Sequence, residues 1–316
     1  MSRRLTIALR VVAIAAVVAA LWWFVRAMDF AALGKALTSA KAWPLVLAAA
    51  LNFVCLWGKA ACWHIMLAPR HRVSVLRLFR YTIAAFAASA IAPARAGEVL
   101  RVWTLKKRDG VPPADTAAVA VAEKLLDGVT MVMLVAPIPW LLPELPGWVG
   151  HGIALCAAVA IAAFVVLYVV IGRAKIDDSV ESPSVLRRFF AGMHALRDPR
   201  RLAGSMAVLF VVWAADLGEI MAVLYAVGVD LPIAAGLFIL FGLNLAIMIP
   251  STPASVGALE AGALAALTLL GVPKEPAFAF ALLYHALQVI PLIAAGVLFE
   301  LRLVLGRDEP KEPVKA

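Results

Sequence analysis

Charge is scarce in this sequence: Asp, Glu, Lys and Arg together make up 16% of it, against 64% apolar residues. That imbalance excludes an ordinary soluble domain, because a chain of 316 residues could not hide so much apolar sequence from water. Cysteine is scarce as well, and Cys55, Cys62 and Cys156 all lie inside apolar runs. Neither their number nor their spacing suits a disulfide framework or a thiolate metal site, so they read as small buried residues. No G-x-x-x-x-G-K-[ST] loop occurs, which excludes a nucleotide motor of that type, and neither H-E-x-x-H nor G-x-S-x-G is found. The longest stretch between apolar runs, residues 173–202, is too short for a soluble catalytic domain.

What is present is a series of apolar runs, with a mean hydropathy of +0.94 over the chain. Runs at 8–26, 43–67, 115–141, 149–172, 203–227 and 276–301 are each long enough to cross a bilayer as a helix. The first follows Arg3 and Arg4 and could pass for a secretory signal, with Val25-Arg26-Ala27 resembling a cleavage site. The many spans downstream favour an uncleaved first helix. Two shorter stretches, 76–93 and 232–250, end in Pro/Gly-rich breaks, Pro93-Ala-Arg-Ala-Gly97 and Pro250-Ser-Thr-Pro253-Ala-Ser-Val-Gly257. Each is followed by a short helical segment, 98–108 and 258–270.

The net charge of +9 could suggest nucleic acid, but the basic residues cluster beside apolar runs. Membrane orientation and anionic lipid explain that placement better. Arg3 and Arg4 set the N-terminus in the cytoplasm, and Arg70, Arg72, Arg77 and Arg80 return to that side after two crossings. Lys106, Lys107 and Arg108 must also be inside, so residues 76–108 enter and leave on one side as a re-entrant hairpin. The basic 173–202 loop is inside again, whereas 228–275 contains one basic residue, Lys274, and the hairpin at 232–271 dips in from outside. Lys35 and Lys41 run against this orientation and are outweighed. Residues 304–316 read as a disordered cytoplasmic tail. In the basic loop, Val185, Leu186, Phe189, Phe190, Met193 and Leu196 share a helical face, which suggests an amphipathic helix over 183–198 on the inner leaflet. A solvated connector is the alternative.

The expected fold is therefore all-α: a single polytopic helical bundle over residues 1–303, with six full spans and two re-entrant hairpins. The two halves also read as a repeat. Pro93 and Gly97 match Pro253 and Gly257, Gly110-Val-Pro matches Gly271-Val-Pro, and Glu123, Lys124 and Asp127 fall opposite Tyr284, His285 and Gln288. Because the hairpins open to opposite sides, the repeat is of inverted topology, with chance similarity between Ala-rich stretches as the alternative. Broken helices related in this way are a common construction for transport sites near the bilayer midplane. Irregular backbone at membrane depth persists only inside protein or beside a polar cavity.

Charges inside the apolar segments point to the same place. Lys59, His64, Arg95, Glu98, Arg101, Glu123, Lys124, Asp127, Asp216, Glu219, Glu260 and His285 all lie at membrane depth. Each costs at least about 2.5–3.5 kcal/mol at the bilayer centre unless partnered or wetted. Glu123 and Asp127 share a face, as do Asp216 and Glu219, and Glu98 with Arg101. Lys59 and His64 are expected nearer the inner interface, where long cationic side chains snorkel. A polar groove for a charged headgroup or a moving ion is one reading; structural ion pairs that pin the bundle are the other.

Three segments carry a family resemblance: Pro93-Ala-Arg-Ala-Gly97-Glu98-Val-Leu-Arg101, Glu123-Lys124-Leu-Leu-Asp127, and Pro250-Ser-Thr-Pro253-Ala-Ser-Val-Gly257-Ala-Leu-Glu260. In order and spacing they resemble the lysylphosphatidylglycerol synthase transmembrane family, the flippase-like membrane domain of bacteria and archaea, over residues 5–303. The resemblance implies a multi-pass protein of the bacterial cytoplasmic membrane, both termini inside, that moves a charged phospholipid or lipid-linked precursor between leaflets. Larger relatives add a cytoplasmic aminoacyl-lipid synthase; this sequence ends at Ala316 without one, so no enzyme activity and no cofactor are expected. Its expected partners are membrane lipids, chiefly anionic phospholipid, with a separate lipid-modifying enzyme as a candidate and nucleic acid excluded. The family's Glu-Arg-x-x-Asp is here Glu123-Lys124-x-x-Asp127, and its Tyr-Arg is Tyr284-His285. Both changes lose the bidentate fork that suits phosphate. The expected pathway comprises Arg95, Glu98, Arg101, Glu123, Lys124, Asp127, Glu260, Tyr284 and His285. Arg95, Lys124 and His285 would offset the lipid phosphate, while Glu98, Asp127 and Glu260 would take a cationic headgroup or relay protons. The competing functions are a non-transporting partner that recruits a lipid-modifying enzyme through its basic loop, and an intramembrane enzyme.

Overall fold

The computed structural model describes residues 30–68, 70–91, 96–173, 189–190, 192–248 and 253–304. Among them there are helices and turns and no strand. The chain is an all-α, polytopic membrane protein. The expected first span, the breaks at 92–95 and 249–252, and the tail lie outside the described residues.

The centre of the bundle is an antiparallel pair, α2 (Ala42–Leu67) and α8 (Pro199–Ala226). Four contacts run along its whole length. Lys41 N donates to Ala226 O at one end, Arg201 Nη1 donates to Ile65 O at the other, and Cys55 Sγ reaches Val212 O between them. At Gly58 a Cβ would stand 2.4 Å from Val212 Cγ2, so the helices meet there because one residue has no side chain. Asp198 caps α8 by accepting from Arg200 N at 2.9 Å, and Pro199 occupies the first turn, where its missing N–H costs nothing.

The short helix α1 (Phe30–Thr38) precedes this pair, and two helix pairs flank it. The first is α3 (Val75–Ile91) with α4 (Ala96–Asp109), and the second is α9 (Ile233–Ile247) with α10 (Ala258–Leu269). In the second, Gly242 and Gly262 allow close approach: a Cβ on Gly262 would meet Ala246 Cβ at 2.6 Å. A long helix follows each pair, α5 (Pro113–Val135) after the first and α11 (Lys274–Val304) after the second. Gly271 separates α10 from α11 with φ 75°, and Val272 N donates back to Leu267 O, a left-handed cap that closes the helix end.

Helices α2, α8 and α11 and the intervening α7 (Gly147–Arg173) contain segments long and apolar enough to cross a membrane. Only 6% of the apolar window of α7 is buried, so most of its surface is left to lipid. The expected span at 115–141 is shorter in the structure. It stops at Val135 because Pro137 cannot continue the ladder, and the chain turns into a four-residue helix, α6 (Ile138–Leu141). The other expected boundaries agree to within four residues at each end.

The basic loop departs from expectation. In its described part Met193 and Leu196 are buried in the protein core, with Phe189 and Phe190 packed beside them. Residues 194–197 form a 3-10 turn, and Arg197 Nη2 donates to Ile171 O at the end of α7. This apolar face docks on the bundle because Gly192 lets the chain pass against Ala118 and Asp115 of α5, where a Cβ would sit 2.8 Å from the Ala118 methyl. Met193→Ala should therefore cost about 2–5 kcal/mol, as for a large-to-small change in a core. A thermal melt in detergent measures it; an unchanged melt would return this segment to the lipid surface.

Candidate functional site

Among the described residues, three polar arrangements involve the charges expected at membrane depth. The first joins α2, α4 and α5. Lys59 and Trp63 lie one turn apart on α2, and Glu123 and Asp127 one turn apart on α5, so each pair presents one face. Lys59 Nζ forms an ion pair with Asp127 Oδ2 and stands 3.4 Å from Glu123 Oε1. Trp63 Nε1 donates to Glu123 Oε2. From α4, Arg101 brings Nη1 to 4.0 Å from the same Glu123 oxygen and lays its guanidinium over the Trp63 ring, 3.4 Å from the centroid. Two cations thus meet two carboxylates. Arg101 is 6% exposed, and its Nε and Nη2 have no hydrogen-bond partner.

The second arrangement holds the loop between α9 and α10. His285 of α11 places Nδ1 2.6 Å from Glu260 Oε1 and Nε2 3.0 Å from Ala254 O. Both neighbours are acceptors, so the pair is either imidazolium with carboxylate or neutral imidazole with carboxylic acid; both are uncharged overall. Glu260 Oε2 accepts from Gly257 N at 2.7 Å and closes the first turn of α10. Ala254 and Ser255 carry φ of 52° and 59°, left-handed conformations costly for residues with a Cβ. The 3-10 turn Pro253–Ser255 rests against α3, so the tip of the second helix pair touches the first pair.

The third arrangement links α11 to α8, where Tyr284 Oη donates to Asp216 Oδ1 at 2.8 Å.

The structure thus brings Arg101, Glu123 and Asp127 together in one cluster and Glu260 and His285 in another, with Tyr284 one residue before His285 but turned to a different partner. Lys124 does not join them. One residue past Glu123 turns it about 100° around the helix, and its side chain is exposed. Glu98 is exposed too, and Arg95 lies outside the described residues. The residue that sequence reasoning misplaced is Lys59. It does not snorkel to an interface but joins both carboxylates of α5. The available signal was its one-turn spacing from Trp63, which puts a cation and an indole N–H on one face opposite paired carboxylates.

The family model described as lysylphosphatidylglycerol synthase TM region matches residues 10–296. The chain belongs to that family. The match covers both helix pairs, α5, α11 as far as residue 296, and all three polar arrangements. No curated protein matches the chain. Among the described residues, no group of three or more His, Cys, Asp or Glu side chains is placed to hold a metal ion.

Proposed function

We propose that this family member moves a charged phospholipid or lipid-linked precursor between leaflets, and that Arg101 receives the lipid's anionic group. One observation carries the reading: a buried guanidinium, set over an indole ring, whose Nε and Nη2 make no hydrogen bond. Leaving such donors unmet is costly, and phosphate oxygens match their fork geometry. The re-entrant hairpins of an inverted repeat are taken to be α3–α4 and α9–α10, entering from opposite faces and meeting where Pro253–Ser255 touches α3. Glu260 and His285 then act as the clasp that fixes the second tip, while Glu123, Asp127 and Lys59 hold Arg101's surroundings electrically balanced. Both termini and the basic loops are assigned to the cytoplasm, in the bacterial inner membrane. Movement is taken to be downhill or driven by an ion gradient.

The test is reconstitution in liposomes with an anionic phospholipid labelled on its headgroup in one leaflet. Wild type should redistribute the label. Arg101→Gln should slow this at least about tenfold, the loss of one charge-assisted hydrogen bond. Arg101→Lys should recover only part of the rate, because it restores charge without the fork. Equal rates for wild type, Arg101→Gln and protein-free liposomes would sink the transport reading and leave recruitment of a lipid-modifying enzyme in its place.

A further inference from the structure

The arrangement around α8 differs from the first cluster in its charge balance. Asp216 and Glu219 lie one turn apart on one face, deep in an apolar span, and Glu219 is fully buried. Every donor that reaches them is neutral. Tyr284 Oη donates to Asp216 Oδ1, and Gln288 Nε2 donates to Glu219 Oε2 at 3.2 Å and to Tyr284 Oη at 3.1 Å. Asn52 Nδ2 in turn donates to Gln288 Oε1 at 2.7 Å, which fixes the amide so that its NH2 faces the acids. Glu219 Oε1 is buried without a hydrogen bond of good geometry, and the Asn52 amide is a further neutral donor beside this carboxylate.

Among the described residues, the surrounding helices place no cation on either carboxylate, and on α11 the neighbouring His285 is turned to Glu260 and Ala254 O. From α2, Cys55 gives its Sγ to Val212 O, and Lys59 lies within Coulombic reach of Asp216 but has its ammonium on Asp127 and beside Glu123. Helix α5 adds those two acids, already matched by Lys59 and Arg101. Helix α9 presents no titratable side chain, and its Asn244 bonds to its own helix at Leu240 O. Among the described residues, no basic group stands within ion-pairing distance of Asp216 or Glu219. Two bare anions one turn apart, Glu219 buried and Asp216 half-buried, with only neutral hydrogen-bond donors among the described residues, are not a stable arrangement in a membrane interior. At least one positive charge is needed to leave a single anion for the neutral donors to solvate, and it must be small. The unpartnered oxygen of Glu219 is fully enclosed, and the neighbouring oxygens of Tyr284 and Gln288 are already used in hydrogen bonds. Among the described residues no third acid joins the two carboxylates, so a proton suits the site better than a sodium ion, which needs several oxygen ligands.

We propose that Asp216 and Glu219 share one exchangeable proton, held in place by Tyr284, Gln288 and Asn52, and that this site couples lipid movement to a proton gradient. The proposal rests on the transport reading for the coupling but not for the proton itself. The mechanical link is short. Tyr284 precedes His285, so a change in how Tyr284 meets Asp216 acts on the same turn of α11 that clasps the tip at Ala254.

Infrared spectroscopy of the protein in phospholipid nanodiscs tests the proton directly. Wild type should show the carbonyl band of a protonated carboxylic acid that shifts in D2O, titrates with pH and ignores added sodium. Glu219→Gln should lose the band, and Tyr284→Phe should shift it without abolishing it, since the hydroxyl only solvates the pair. In liposomes a pH gradient should change the wild-type lipid rate severalfold, and in Glu219→Gln the ratio of rates with and without the gradient should fall to one. Absence of the band in wild type, or its displacement by sodium, overturns the proton site. A titrating band together with gradient-independent lipid movement overturns the coupling. Wild-type protein that moves no lipid under any condition defeats the transport reading, while the band still decides the proton.

Discussion

Lys59→Met is expected to destabilise the protein by about 3–5 kcal/mol, the usual consequence of removing one member of a buried ion pair. Among the described residues, Lys59 Nζ is the only charged partner of Asp127 and one of two for Glu123, and its side chain is 15% exposed. Without it, two carboxylates in an apolar bundle face one guanidinium, and the Asp127 oxygen that was paired joins a second, Oδ1, that is already unpartnered. The double variant Lys59→Met/Asp127→Asn restores charge balance and should regain most of the loss, although neither residue alone is tolerated well. Thermal unfolding of the four proteins of this cycle in detergent measures the coupling. If the double variant is as unstable as the sum of the singles, the cluster is not held by charge pairing. The same series separates a structural from a transport role for Lys59, because a charge-balanced double variant that folds and still moves lipid confines Lys59 to the scaffold.

Gly97→Ala should have an effect of similar size for a different reason. A Cβ at this position would lie 1.8 Å from Ala85 O and 2.4 Å from Ser89 Oγ, and the first of these is the backbone of α3. A helix carbonyl cannot swing aside as a side-chain tip can, so α4 must move bodily away. Overpacking of this kind costs about 1–3 kcal/mol, and contact with backbone places this substitution at the upper end. Ser89→Ala removes only the bond that Ser89 Oγ accepts from Gly97 N at 3.0 Å and should cost about 1 kcal/mol. Arg101 lies one turn farther along α4, so the displaced helix carries its guanidinium off the Trp63 ring. Gly97→Ala should thus lower lipid movement as well as the melting temperature, whereas Ser89→Ala should lower only the second, and slightly. A melting temperature unchanged in Gly97→Ala would show that the two helices do not approach as described.

The sequence was informative about elements because bilayer hydrocarbon imposes a one-dimensional rule. A helix must be apolar over a fixed length, and Pro or Gly must mark where that length is broken. Ala42–Leu67, Gly147–Arg173, Pro199–Ala226 and Lys274–Val304 follow from that rule to within four residues at each end, and so do both helix pairs. The same rule flagged Arg101, Glu123, Asp127, Asp216, Glu219, Glu260 and His285 as costly. It could not say what each one touches. Met193 and Leu196 show the limit in another form, since an apolar stripe reads alike whether it covers lipid or protein, and only Gly192 against α5 makes it protein.

Family membership, the all-α membrane fold and the two broken helix pairs were therefore written in the order of residues along the chain. Which charges answer each other was not. Lys59 and Asp127 are 68 positions apart and Tyr284 and Asp216 are equally far, and no periodicity spans such a distance. Those pairings were decided by the packing of α2 against α8, of α5 on α2 and of α11 on α8. Only that packing leaves one cluster of acids paired with cations and the other, at Asp216 and Glu219, without an ion-pairing cation among the described residues.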